Sequence, residues 1–541
     1  MTPLDPLDYV WLGILEAFTA KPMFTVYGVI ISTTVVMVLS GFLSGIVVGA
    51  TPGLSGPFAM AVSLPILISV FGINQDALLP VMGFLIGVMK GATIGGAVPA
   101  ILFNTPGTPD ALLTTFDGYP MTKKGQSGKA LRVAHFSSAS GDTFSDFILF
   151  TTAPFLAVIV EAYLDFPEKA ALIILSLSFI SAVVGSSVAK GMLAAVFGMF
   201  MALIGNGEDP YPRLTFETQW MAEGFPLVSA VLGVLILGEV FKAMEDLMRE
   251  RLRTNKMARV EVSGDNKLRF ADIKRIFPFV GQSAAVGTFI GALPGIGSTL
   301  AATMGYSMAR NVSSKPQEFG TGIPEGVAAT EAANSSVAGA NLIPVLSLGI
   351  PGNVAAVFLI LATESIGNFN PGPQVFKFDA NAVNKECVLV FGLFTAMALA
   401  NVFNWTIGGA FMRMTGIMVR IPKQYLMPAV LLLTLTSIYV QNTTMSAIYI
   451  AIFFGFLGYI MRKMDISVLP FVIAYILANN LETAIRQAFA VSGGDPYFFF
   501  SSPISMIFFA MIGLVIYFFG YRQKKREKML GQGGSAASSE G

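Results

Sequence analysis

The sequence has 541 residues, 54% of them hydrophobic and 12% charged, and its mean hydropathy is +0.68. So few charges cannot clothe a soluble protein of this length, which leaves lipid to cover much of the surface. Lys plus Arg number 34 against 33 Asp plus Glu, which points to no nucleic-acid partner; one cysteine, Cys387, excludes an intrachain disulfide, and one histidine, His135, leaves a histidine-bound zinc or haem short of ligands.

The N-terminal stretch MTPLDPLDYVWLGILEAF lacks the basic region and small-residue cleavage signal of a secretory leader. Apolar segments long enough to cross a bilayer then recur near 25–50, 77–103, 136–157, 170–187, 190–206, 222–240, 276–293, 326–350, 353–366, 388–412, 424–440, 443–461, 466–481 and 504–520. Two shorter pieces, 57–72 and 298–309, read as half-helices or re-entrant segments. The expectation is an all-α polytopic membrane protein of about 12–14 spans. A hydrophilic stretch, 242–275, carries ten Lys or Arg against six Asp or Glu and divides an N-terminal half, 1–241, from a C-terminal half, 276–521. The tail 522–541 ends in the small polar run GQGGSAASSEG and is set apart from the fold.

Basic residues in short loops set the orientation. Arg522, Lys524, Lys525, Arg526 and Lys528 follow the last span and place the C-terminus in the cytoplasm. Walking back, Arg462 with Lys463, the loop of Arg413, Arg420 and Lys423, the 242–275 stretch, and Lys123, Lys124, Lys129 and Arg132 all fall inside. The first half's motif region then ends at the cytoplasm near 120 and the second half's on the outer side near 370, so the halves are expected to be inverted repeats. A parallel duplication is the alternative.

The strongest internal feature is a repeated pair of motifs. GIVVGATPGLSG (45–56) and GTFIGALPGIGS (287–298) both follow G-x3-G-x2-P-G; PAILFNTPG (99–107) and PVLSLGIPG (344–352) both follow P-x6-P-G. The interval from the first Pro-Gly to the second is 54 residues in one half and 57 in the other. Proline removes a donor and obstructs the preceding turn, while glycine opens conformations closed to other residues. Within lipid such breaks survive only where protein or a watery cavity meets the exposed backbone groups. Discontinuous helices around a central cavity are therefore expected, their N-termini suited to an anion and their carbonyls to a cation. Close helix contact accounts for Gly41, Gly45, Gly83, Gly87, Gly91, Gly95, Gly455 and Gly458, but poorly for the paired prolines.

Small polar side chains collect at the breaks: Thr51, Ser55, Asn104, Thr105 and Thr108, then Ser298, Thr299, Asn334, Ser335, Ser336, Ser347 and Asn353. They suit a carboxylate or a sodium ion, though any one of them also suits a helix end. The residues at the breaks are Pro52, Gly53, Leu54 and Ser55; Asn104, Thr105, Pro106, Gly107 and Thr108; Pro294, Gly295 and Ser298; and Pro351, Gly352 and Asn353. Glu331, Asn334 and Ser335 form a candidate sodium region, with a structural polar network as the other reading. Glu325, six residues from Glu331, shares no face with it in a regular helix. Lys90 is placed to pair with an acid or to meet substrate charge, Asp142 and Asp146 read as caps near the start of a span, and Arg213, Glu482 and Arg486 read as structural or partner-docking groups near the outer surface.

At these residues the chain resembles the large membrane subunit of the tripartite tricarboxylate transporters, the TctA family. The matching text is GATPGLSGPFAMAVSLP (49–65), ILFNTPGTPDALLTTFDGYP (101–120), GTFIGALPGIGSTLAATMGYSMAR (287–310), EFGTGIPEGVAATEAANSSVAGANLIPVLSLGIPG (318–352), NPGP (370–373) and ANNLETAIRQA (478–488). It departs from the family at Ser55, often glycine, and at the serines of EAANSS (331–336). The resemblance implies cation-driven import of citrate or related di- and tricarboxylates in a bacterial inner membrane, with Na+ or alternatively H+ as the coupling ion and no resident cofactor. It also implies two partners, a small membrane subunit of about four spans and an extracytoplasmic solute-binding protein. Carried onto this chain, the resemblance implies that the break residues named above, with the Pro-Gly loops at 52–56, 106–109, 294–298 and 351–353, bind the substrate between the two halves. Homodimerisation is left open. Among competing classes, no HExxH, Ser-His or Cys-His arrangement supports an enzyme and no G-x4-G-K-[ST] supports ATP drive; a carboxylate-selective channel is the runner-up, because broken helices also line pores.

Overall fold

The computed structural model describes the chain apart from residues 1–4, 20–21, 27–28, 53, 185–186, 206–211, 216–220, 222–223, 251–266, 368, 379–381, 419–422 and 538–541. The described residues are helical almost throughout. They form two compact units, 1–160 with 243–443 and 161–242 with 444–541, each drawing on both halves of the sequence. Residues 251–266 of the 242–275 stretch lie outside the described residues, and α10 and α11 extend into its two ends.

In the first unit α1 (Pro6–Thr19) precedes an antiparallel pair, β1 (Pro22–Val26) and β2 (Val29–Ser32). A span from residue 25 is expected there, but Thr25, Val26, Val29, Ile30 and Ile31 are all β-branched and favour a strand. Ser32 then accepts the Val35 N–H at 3.2 Å and starts a helix at Thr33. The helices that follow are α2 (Thr33–Gly49), α3 (Gly56–Phe71), α4 (Gln75–Phe103), α5 (Thr114–Lys123) and α6 (Ser127–Tyr163). The second unit opens with α7 (Phe166–Val184), α8 (Val188–Ala202), α9 (Leu227–Leu232) and α10 (Gly238–Glu250). The chain continues through α11 (Phe270–Gly291), α12 (Ser298–Val312), α13 (Pro324–Ala340), α14 (Leu342–Leu348), α15 (Val354–Ser365), α16 (Lys385–Phe403), α17 (Gly409–Met418) and α18 (Lys423–Asn442). The last helices are α19 (Met445–Lys463), α20 (Val468–Ser492) and α21 (Pro503–Ala537).

Among the described residues eight helices are long and apolar enough to cross a bilayer: Gln75–Phe103, Ser127–Tyr163, Phe166–Val184, Leu227–Asp246, Lys385–Thr415, Met445–Lys463, Val468–Ser492 and Pro503–Tyr521. That is fewer than the about 12–14 spans expected; five further apolar helices, Thr33–Gly49, Gly56–Phe71, Val188–Ala202, Val354–Ser365 and Met427–Asn442, are shorter than spanning length, and the stretches expected to span at 276–293 and 326–350 are not among either set. Three of these five, α2, α3 and α15, abut a Pro-Gly break, which is why they are short. In α4 89% of the apolar window is buried within the protein, against 11% in α21, so α4 is a central helix and α21 a peripheral one.

The glycine stripes do close two helices on each other. A methyl group on Gly91 of α4 would sit 2.1 Å from the Phe42 carbonyl oxygen of α2, and one on Gly41 of α2 would sit 2.1 Å from that of Phe84. The same device joins α11 to α13, where a methyl on Gly287 would lie 2.3 Å from the Ala333 carbonyl. Phe42, Ile46, Ile94, Val98 and Ile101 fill the core around the first pair. In the second unit a wide π turn, Gly233–Leu237, joins α9 to α10. The carbonyls of Val234 and Leu235 in that turn accept from the Arg462 guanidinium at 2.8 and 2.9 Å.

Candidate functional site

Each half of the motif region, all within the first unit, runs the same course. α2 stops at Gly49, before Pro52, and α3 restarts behind Ser55; α11 stops at Gly291, before Pro294, and α12 restarts behind Gly297. Three residues after each Pro, Ser55 and Gly297 are both extended N-caps, and Ser55 also accepts the Phe58 N–H. The second motif repeats as closely. α4 ends on Asn104 at φ 54° and α14 ends on Gly349 at φ 71°, the two residues that align in P-x6-P-G. Thr108 and Asn353 cap the helical turns that follow, and Asn353 accepts the Ala356 N–H at 2.8 Å. The sequence repeat is thus a repeat of local backbone structure.

Within each half the breaks meet. In the first, the Gly107 N–H donates to the Gly96 carbonyl at 3.2 Å, and a methyl on Gly107 would fall 2.2 Å from the Gly49 carbonyl oxygen. In the second, the Gly295 N–H, at φ 84°, donates to the Gly352 carbonyl at 2.8 Å. The two halves also touch, because Thr299 at the start of α12 donates to Asp110 at 2.8 Å in the loop after the first half's second break. Asp117 of α5 is fully buried and accepts the N–H groups of Gly320, Gly322 and Ile323 at 2.8 to 3.1 Å, together with the Tyr306 hydroxyl at 2.9 Å. That carboxylate fixes the loop entering α13, where Gly320 and Gly322 take positive φ. A cavity of about 520 Å³ opens beside Asn104 and Pro106, with Thr115, Tyr119, Lys123 and Gly320 on its walls.

Polar atoms at the crossings are buried without partners. Thr108 Oγ1 has none, and it lies where a methyl on Gly96 would come within 2.6 Å of it. Asn341, 1% exposed, has neither Oδ1 nor Nδ2 bonded, and its Oδ1 would be 3.3 Å from a methyl on Gly352. Burying a carboxamide unsatisfied costs about 1–3 kcal/mol, which makes Asn341 a candidate for contact with a ligand. Sequence reasoning passes over it because it sits in the apolar run GANLIPV; aligning the repeats finds it, as it stands three residues before Pro344 where Gly96 stands before Pro99.

Of the expected substrate residues, Pro294 and Gly295 come together with Gly352, which follows Pro351, while Gly107 lies against Gly49 and Thr108 against Gly96. Pro52, Ser55, Asn104, Thr105, Pro106, Ser298 and Asn353 are partly or fully exposed around them, and Leu54 is buried. Gly53 lies outside the described residues. The candidate sodium residues lie elsewhere on α13. Glu331 accepts from Thr114 of α5 through Oε1, Ser335 bonds Ser138 of α6, and Glu331 Oε2 and both side-chain heteroatoms of Asn334 have no hydrogen-bond partner. Glu331 is ten residues from Asn341, roughly 15 Å along a helix, so the two regions are separate.

Three further charged groups find their places. Glu325 pairs with Arg275, and Glu482 accepts from Arg213 and from Arg486 in the second unit. Asp142 and Asp146 are not caps: α6 begins fifteen residues earlier than Asp142, at Ser127, so both lie deep in a 37-residue helix and bond Lys90 of α4.

Apolar helices of membrane-spanning length, broken at matched Pro-Gly pairs, mark a multi-pass membrane protein of the kind on which transporters are built. The Tripartite tricarboxylate transporter TctA family matches residues 35–473, and the chain belongs to it. It is 30% identical over 498 residues to an uncharacterized 52.8 kDa protein in the TAR-I ttuC' 3'region of Agrobacterium vitis, covering 90% of this chain and 94% of that protein. It is 31% identical over 223 residues to an uncharacterized protein in the TAR-II ttuC' 3'region of the same organism, covering 40% of this chain and 87% of that one. No solved structure matches the chain.

Proposed function

We propose that this chain is the large membrane subunit of a receptor-dependent tripartite importer in a bacterial inner membrane, driving small organic di- or tricarboxylates such as citrate inward with a coupling cation. The observation that carries the reading is the doubled crossing: two sets of broken helices with the same caps, each presenting a buried polar group with no protein partner. Helix N-termini at Ser298 and Asn353 present exposed amides toward an anion, and Asn341 and Thr108 supply neutral donors that bind a carboxylate without a fixed counter-charge. Sodium or a proton offsets the substrate's charge, with Glu331, Asn334 and Ser335 as the sodium region. An extracytoplasmic solute-binding protein delivers the ligand, and a small subunit of about four spans completes the membrane part. In this reading the halves 1–241 and 276–521 are inverted repeats joined by a cytoplasmic 242–275 segment, and the tail 522–541 is cytoplasmic.

The test is uptake of labelled citrate into proteoliposomes holding this chain and its small partner, with the solute-binding protein outside and sodium and proton gradients imposed separately. Receptor-dependent accumulation that collapses with one gradient supports the reading. Flux only down the substrate gradient, indifferent to both cations and to the receptor, overturns it in favour of a channel.

A further inference from the structure

Apart from Asp76 in its first turn, α4 has one ionisable residue, Lys90, and it is 1% exposed. Its three donors are all used: Nζ lies 3.1 Å from Asp142 Oδ1, 2.8 Å from Asp146 Oδ2 and 3.0 Å from Asn401 Oδ1. Asn401 of α16 returns a bond from Nδ2 to Asp146 Oδ2 at 2.8 Å. The fourth side of the cluster is α13, where Gly339 faces Asp146: a methyl there would sit 2.3 Å from Asp146 Oδ1, an oxygen that is buried and has no partner.

Two carboxylates against one ammonium leave one negative charge in excess, and nothing around the cluster offsets it. α2 has no ionisable residue. On α6 the nearest titratable side chain is His135, seven residues or roughly 10 Å along the helix from Asp142, with its Nε2 2.9 Å from the Asn404 carbonyl oxygen; the cations Lys129 and Arg132 are ten or more residues away. On α13 Glu325 pairs with Arg275, and Glu331 is held by Thr114 eight residues from Gly339. Lys385 and Glu386 lie at the far end of α16, and Arg413 of α17 donates to the Gly409 carbonyl. A lone excess charge inside a membrane protein is costly. A hard metal cation takes about six oxygens, whereas this cluster has four carboxylate oxygens, two of them already bonded to an ammonium group. One proton, held by the carboxylate pair as a unit, neutralises the site with no further ligand.

We propose that Asp142 and Asp146, held by Lys90, are the binding site of a coupling proton. This rests on the reading of the chain as a cation-coupled importer and adds to it the ion and the residues that carry it. The proton enters from the outer aqueous side, takes the cluster from one net negative charge to zero, and leaves to the cytoplasm. The cluster is placed to act on the substrate region because α4 and α13 run from it directly into the breaks: Lys90 is nine residues before Pro99, and Gly339 two residues before Asn341.

Asp146→Asn and Asp142→Asn each leave a neutral Lys-Asp pair that mimics the protonated site permanently. In proteoliposomes of the complete transporter, two quantities separate the roles: exchange of labelled citrate against internal citrate across an external pH series, and accumulation under a pH gradient in sodium-free buffer or a sodium gradient at symmetric pH. The expected result is that either variant still exchanges citrate, at a rate that no longer varies with pH, while pH-driven accumulation falls at least tenfold. Measuring both variants covers a folding failure in one of them. Wild-type accumulation driven by sodium alone, variants that accumulate as well as wild type, or loss of exchange together with accumulation in both variants overturns the proton site and leaves coupled import standing. Absence of any gradient-driven uptake by the wild type overturns both.

Discussion

The two crossings share a backbone but distribute space and polarity differently. In the first, Gly96 has no side chain and Thr108 of the crossing loop fills the gap, with the Gly49 carbonyl pressed against Gly107. In the second, the residue aligned with Gly96 is Asn341, and a methyl on the loop glycine, Gly352, would meet the movable Asn341 Oδ1 at 3.3 Å and backbone only at 3.7 Å or beyond. One crossing is packed backbone on backbone; the other keeps a carboxamide in a looser pocket. A duplicated scaffold has thus become one rigid junction and one that is roomier and more polar, and the second is the better candidate for direct ligand contact.

Alanine at the two loop glycines should separate these roles with the largest effect. At Gly107 a methyl meets the Gly49 carbonyl at 2.2 Å, the Pro99 ring at 2.8 Å and the Gly96 Cα at 2.9 Å, atoms with little freedom to move. Gly107→Ala should cost about 3 kcal/mol by overpacking and abolish uptake. At Gly352 the nearest atom is the end of a side chain at 3.3 Å, so Gly352→Ala should cost under about 1 kcal/mol. Thermal denaturation of the detergent-solubilised protein reads both, and equal destabilisation would show that the crossings are not packed differently.

Next in size is the carboxamide. A buried group that makes no hydrogen bond contributes none to stability, and an apolar replacement of similar shape is neutral or stabilising. Asn341→Leu should therefore leave the melting temperature unchanged or raised while carboxylate uptake drops at least tenfold. The same pattern, smaller, is expected for Thr108→Val. A fall in stability with normal uptake would assign Asn341 to the scaffold.

How much of this could be read from the sequence follows from which interactions are local. The Pro-Gly motifs encode their own breaks, so the repeat, the discontinuous helices and the glycine-lined α2–α4 contact are legible, as is the position of Asn104 and Thr108 at the helix ends. The partners of Lys90 are not: Asp142 and Asp146 are 52 and 56 residues away and Asn401 is 311 away, so no spacing announces the cluster. Asn341 is hidden by its apolar neighbours, and the β1–β2 pair by its resemblance to the start of a span. The division into two units is equally invisible, since each draws on both halves. The π turn of the second unit shows the opposite outcome from the crossings: its carbonyls are taken by Arg462, so a broken helix by itself does not mark a site.

The smallest expected effect tests the repeat at single-residue resolution. Asn104 and Gly349 end their helices in the same left-handed conformation, at φ 54° and 71°, a region that costs an ordinary L-residue about 1–2 kcal/mol and asparagine less. Asn104→Gly should hold stability or raise it slightly, Asn104→Ala should lower it by about 1 kcal/mol, and Gly349→Ala by about the same. Paired unfolding curves decide between two accounts. Similar alanine costs at both positions mean that the repeat is a repeat of backbone conformation. A cost at one position alone means that the crossings have diverged in the helix ends as well as in the polar groups, and that the first junction owes its rigidity to Gly107 and Gly49 rather than to its cap.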